Sequence, residues 1–193
     1  VNLEFGSAHN IIINEEESRV YVVGAATFDG GLHIFDVSNP EAPVSIGGFA
    51  GDGYTHDAQV VTYSGPDSDY TGRQICAASN EDSVTLVDVT DAANPVFISK
   101  IAYPNPFYTH QGWFTEDQRY FIANDELDEL RLGFSTRSLI FDFSDLDNPV
   151  QIGTYSGPTR AIDHNYYVKA NTLYLTNYSA GLRVLDISDI ANA

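Results

Sequence analysis

Four histidines recur in similar short contexts along this chain. They read Ser7-Ala8-His9-Asn10, Tyr54-Thr55-His56-Asp57, Tyr108-Thr109-His110-Gln111 and Ile162-Asp163-His164-Asn165. The steps between them are 56 − 9 = 47, 110 − 56 = 54 and 164 − 110 = 54 residues. Neutral imidazole is a ligand for Zn, Cu, Ni and Fe. His9, His56, His110 and His164, brought to one point, would make a transition-metal centre. Asp57 and Asp163, with Asn10, Gln111 and Asn165, could then orient the rings from behind. A second group packs carboxylates into Asn124-Asp125-Glu126-Leu127-Asp128-Glu129. Hard oxygen ligands at that density suit Ca²⁺, so Asp125, Glu126, Asp128 and Glu129 form a candidate calcium site. Their spacing does not match an EF-hand loop. A solvated acidic loop, neutralised by Arg131 and Arg137, is the simpler expectation. Asp163 beside His164, with Arg160 near, also has the make-up of a charge-relay pair. No Gly-x-Ser-x-Gly or other nucleophile signature accompanies it, so no hydrolase is assigned.

The elements that must carry these side chains are short strands. In the first unit, Asn10–Ile13, Arg19–Gly24, Leu32–Val37 and Val44–Phe49 are β-branched or aromatic runs. Glu15–Ser18, Asp29-Gly30 and the two-proline turn Ser38–Pro43 separate them. The later units follow the same plan. Each third strand ends on aspartate: Leu32-His33-Ile34-Phe35-Asp36, Val84-Thr85-Leu86-Val87-Asp88, Leu139-Ile140-Phe141-Asp142 and Leu182-Arg183-Val184-Leu185-Asp186. Four antiparallel strands recurring every 47 to 54 residues define a blade of an all-β propeller. The blades run approximately 7–54, 55–108, 109–159 and 160–193. Three are complete and the fourth lacks a strand. The outer strand within residues 1–6, Val1–Phe5, either supplies it, closing a four-bladed ring, or ends a blade that begins upstream in a larger propeller, which is the favoured expectation. The first strand of each blade lines the channel, so the four histidines are expected at one level around it. Repeats also reuse a residue that solves a packing problem, and that reading of the histidines is favoured. His33, on a third strand, is expected to be structural.

Charge narrows the partners. The chain has 193 residues, 27 of them acidic and 9 basic, for a formal charge of −18. Only Lys100 and Lys169 are lysines. Such a field repels nucleic acid and anionic membranes and favours cations. No apolar run is long enough to span a bilayer. The one cysteine, Cys76, lies in the apolar run Arg73–Ala78, where a buried structural thiol is expected. With no methionine and a start inside a strand-like segment, the sequence reads as a mature or proteolysed piece of a longer chain.

The strand ends followed by Ser38-Asn39-Pro40 or Asp147-Asn148-Pro149 resemble the LVIVD repeat of bacterial surface propellers. A fuller set is similar to the choice-of-anchor B family along essentially the whole chain. It comprises Gly6–Asn10, Asp52–Asp57, Tyr108–Trp113, Asp125–Glu129 and Gly157–Asn165. That resemblance implies an exported protein held at the cell surface by a C-terminal anchor, with further repeats on both sides.

The leading expectation is a non-catalytic binding or scaffold module, holding a small molecule, glycan or protein at the channel mouth. Aromatic residues near the blade ends, among them Tyr54, Tyr108 and Trp113, suit such ligands. The alternatives are a metal-dependent, oxidase- or oxygenase-like enzyme using the histidine ring, and a calcium-stabilised adhesion module.

Overall fold

In a computed structural model, residues 4–192 are described. Blade one is β1 (Asn10–Asn14), β2 (Arg19–Val23), β3 (Leu32–Asp36) and β4 (Val44–Phe49). Blade two is β5 (Asp57–Thr62), β6 (Gln74–Ser79), β7 (Val84–Asp88) and β8 (Val96–Ile101). Blade three is β9 (Thr109–Phe114), β10 (Tyr120–Asp125), β11 (Arg137–Asp142) and β12 (Val150–Ser156). Blade four has three strands, β13 (Tyr166–Lys169), β14 (Thr172–Asn177) and β15 (Gly181–Asp186). Every sheet is an antiparallel meander in chain order. The inner strands β1, β5, β9 and β13 contact one another in sequence, so the sheets fan about one axis as an all-β propeller. Of the expected outer strand, Val1–Leu3 lie outside the described residues, and Glu4–Gly6 form no strand.

Both faces of each middle sheet are apolar, and the cores lie between blades. Tyr21, Val23, Leu32 and Ile34 of blade one meet Val60, Cys76, Val87 and Ala92 of blade two. Ile75, Leu86 and Tyr63 meet Phe121, Phe141 and Phe143 of blade three. Ile122 and Ile140 meet Tyr166, Leu173 and Leu175 of blade four. Cys76 is fully buried, as expected, and burial pushes its thiol far up. The outermost face of blade four is bare: Leu182 and Val184 are exposed.

The aspartate that ends each third strand has one job in all four blades. Asp36, Asp88, Asp142 and Asp186 accept a hydrogen bond from the backbone N–H two residues on, at Ser38, Thr90, Ser144 and Ser188. This closes an Asx turn and starts the return strand. In blades two and three the next turn drops Ala92 or Leu146 into the gap to the preceding blade. Leu146 is wholly buried, which is worth about 1.5–3 kcal/mol. Each complete blade also carries a bulge in its last strand, after Ile34, Leu86 and Ile140 of the partner strand. The unpaired residue is an isoleucine each time (Ile46, Ile98, Ile152), packed against the interblade core.

Polar contacts between blades run repeatedly from a side chain of one blade to the backbone of the next. Arg19 donates to the carbonyls of Val89 and Thr90. Gln59 accepts from the Phe114 N–H at 2.7 Å. Gln111 accepts from the Tyr166 N–H at 2.7 Å and donates to its carbonyl at 3.1 Å. Ser99 donates to the Leu146 carbonyl.

Candidate metal centre

The four histidines sit at or just before the starts of the inner strands and form an arc across one channel mouth. Successive ring centroids are 3.9 Å (His9–His56), 4.4 Å (His56–His110) and 4.4 Å (His110–His164) apart. The middle two are buried, His9 is exposed and His164 is partly open. Gly24 makes room for the first: its φ is +62°, and a Cβ there would lie 2.5 Å from the His9 Cβ.

Backbone contacts set the rings. His56 Nδ1 lies 3.0 Å from the carbonyl oxygen of His110. A carbonyl only accepts, so Nδ1 carries the proton and Nε2 keeps a free lone pair, the state a metal requires. His110 leans on the His164 backbone in the same sense, though its Nδ1 makes no well-aligned hydrogen bond. Burial holds the pKa of His56 below the ordinary histidine value. Burial, reinforced by the neighbouring imidazoles, holds His110 down at about 3. Both rings are therefore neutral at physiological pH.

The fifth member is Glu126. One carboxylate oxygen lies 3.8 Å from His110 Nε2 and the other 3.9 Å from His164 Nε2. Ligand atoms of His56, His110 and Glu126 all lie within 4.8 Å of one another. With metal–nitrogen and metal–oxygen bonds of about 2.0–2.2 Å, tetrahedral ligands stand about 3.4 Å apart. Closing the two Glu126–nitrogen gaps takes about half an ångström each, and closing the widest spacing within the His56–His110–Glu126 set takes up to about 1.4 Å. The His/Glu donor set suits a borderline divalent transition metal. A bulge aims Glu126: between Ala123 and Asp125 the β9–β10 register shifts. The buried Asn124 amide fills the irregularity, accepting from Gln111 N–H at 3.2 Å and donating to the His164 carbonyl. Bulges beside functional sites commonly redirect a side chain in this way. Tyr178 then hydrogen-bonds Glu126 at 2.8 Å. Tyr108 and Tyr178 stand edge-on to His56 and His164, each at 5.1 Å.

The acidic run is not the solvated loop the sequence suggested. Asp125 ends β10, Asp128–Arg131 form one helical turn (α1), and Asp125, Asp128 and Glu129 are buried. Its four carboxylates diverge. Asp125 accepts from the Tyr103 hydroxyl and from the N–H groups of Phe107 and Tyr108. Asp128 pairs with Arg137, while Arg131 instead lies over the Phe107 ring. Glu126 faces the histidines. Glu129 faces Asp163 and Asp128, and burial pushes its pKa up to about 9. Burial likewise raises Asp163 to about 7.

Asp163 makes no charge relay. Its carboxylate accepts from the Arg137 N–H, the Tyr166 hydroxyl and the Asn177 amide, not from His164. Asp57 is bonded to the Ala58 N–H and raised by burial to about 6, and no imidazole hydrogen-bonds it among the described residues. His33 lies buried between the hydroxyls of Thr27 and Ser45. The sequence signal that would have found Glu126 is its place immediately after the second strand of its blade, where the fourth blade has Tyr178.

The first blade matches the LVIVD repeat family model over residues 6–50. No curated protein matches the chain. Among solved structures, a Lactobacillus plantarum protein superposes with a TM-score of 0.72 at 10% identity, over 98% of this chain and 54% of its own. A Bacteroides fragilis protein provisionally named 6-phosphogluconolactonase superposes with a TM-score of 0.66 at 13% identity, over 96% of this chain and 52% of its own. At such identities the likeness is one of fold, and this chain spans about half the length of either structure.

Proposed function

We propose that this chain is a ligand-binding β-propeller module that holds a divalent transition metal at its channel mouth, through His56, His110, His164 and Glu126. The observation that carries this reading is the Glu126 carboxylate set between two Nε2 atoms at 3.8 and 3.9 Å. His9, its ring 3.9 Å from that of His56 at the open end, is an additional ligand. A metal there would act as a Lewis acid toward an incoming carbonyl, carboxylate or phosphoryl oxygen. The tyrosines and the chain's negative field would set which ligands approach.

Export and surface attachment, as in the choice-of-anchor B family, belong to the same proposal. They are supported by the LVIVD match and by the acidic, lysine-poor composition.

Elemental analysis of protein purified without chelator, followed by calorimetric titration of Zn²⁺ and Mn²⁺ into stripped protein, tests the reading. One ion per chain is expected, lost in His110→Ala. A stripped protein that takes up neither ion, or a His110→Ala variant that binds as the parent does, overturns it.

A further inference from the structure

Past the histidines, along the inner strands, lies a cavity of about 350 Å³ lined by residues of all four blades. Trp113 and Tyr167 lie three residues beyond His110 and His164, so about 10 Å further along the channel. Their rings meet at 4.9 Å with an interplanar angle of 59°, and Tyr167 is 48% exposed. Tyr167 thus presents an open ring face among the polar groups of the cavity, the mix of aromatic face and few polar groups that small-molecule sites use.

The polar groups around it fall into two sets. Gln59 and Gln111 are spent on the backbone of the next blade, which also covers strand edges that an extended peptide would need. The Trp113 indole N–H, the Tyr167 hydroxyl and the Asn165 side-chain amide make no hydrogen bond to the described residues and are free for a ligand. They offer neutral donors and acceptors beside a flat apolar face. Asp57 lines the same cavity, and the chain carries a charge of −18, so anionic ligands are disfavoured.

We infer that this cavity is a saccharide subsite, distinct from the metal centre, that stacks the C–H face of a neutral pyranose on Tyr167 and holds its hydroxyls through Trp113 and Asn165. A pyranose has the required make-up: one apolar face, hydroxyls around its rim and no charge.

Trp113 is the only tryptophan in the chain, so its emission reports occupancy directly. The full chain is titrated with cellohexaose, maltohexaose and chitohexaose, with a hexagalacturonate as anionic control, in EDTA so that no metal contributes. A saturable change in emission with at least one neutral oligomer is expected. Tyr167→Ala, at an exposed position that leaves the core intact, weakens it at least tenfold. Trp113→Ala, followed by calorimetry because it lacks the fluorophore, does the same, with circular dichroism reporting the fold of both variants. No saturable response to any neutral oligomer, a preference for the anionic one, or unchanged affinity in a folded Tyr167→Ala overturns the inference.

Discussion

Glu126 and Glu129 lie three residues apart in one acidic run and meet opposite fates. Glu126 is turned by the β10 bulge toward two imidazole nitrogens and a tyrosine hydroxyl. Glu129 is folded inward against Asp128 and Asp163, and no N–H or hydroxyl group of another described residue donates to its oxygens. Sequence spacing assigns them one chemistry, and surroundings give them two. A carboxylate facing neutral nitrogen donors is ready for a cation. A carboxyl buried against its own kind keeps its proton.

The contrast is broken most forcefully at Glu126. Glu126→Ala should lower Zn²⁺ affinity more than a hundredfold, since even outer-sphere partners of a metal site are typically worth 10–100-fold. Calorimetric titration measures this, and parental affinity would place Glu126 with Glu129 as a bystander.

Asp125 comes next, because it fastens the start of the run to the Tyr103 hydroxyl and the amides of Phe107 and Tyr108. Asp125→Ala leaves buried donors unmet and should cost about 2–3 kcal/mol. That is roughly 4–12 °C in melting temperature for a chain of this size.

Glu129 tests the other half of the contrast. Its folded pKa of about 9 stands far above the ordinary carboxyl value. The unfolded chain therefore gives up this proton as pH rises past about 4.5, while the folded chain keeps it, and stability falls between there and pH 9. Glu129→Gln removes that slope and should raise the melting temperature at pH 8, with little change at pH 5. His110 supplies the opposite slope: held at about 3 in the fold, it withdraws stability as pH falls below the ordinary histidine value. Melting curves from pH 4 to pH 9 separate the two.

Much of this was legible in the sequence. Strand runs, proline turns and the aspartates closing third strands depend on neighbours within a few residues, and they reveal the blades directly. The common level of the four histidines follows from their spacing, because each opens the same unit. The role of Glu126 was only partly legible: its place just past the second strand could have flagged the position, but its aim depends on a one-residue shift of pairing between β9 and β10. The burial of Asp128 and Glu129 was hidden for a related reason. It depends on Arg137 from the next strand and Asp163 from the next blade, which only the assembled interface brings near. A count of charges in a window reads such a segment as solvated.

The contacts in which one blade's side chains grip the next blade's main chain carry an evolutionary consequence. Arg19, Gln59, Ser99 and Gln111 all seize peptide groups, which every residue except proline provides in full. A copied unit spliced into the row would find its handholds already present on whatever neighbour followed, with no matching change demanded there. Lengthening of the array by gene duplication then meets little structural resistance, and each new copy is free to drift toward its own chemistry.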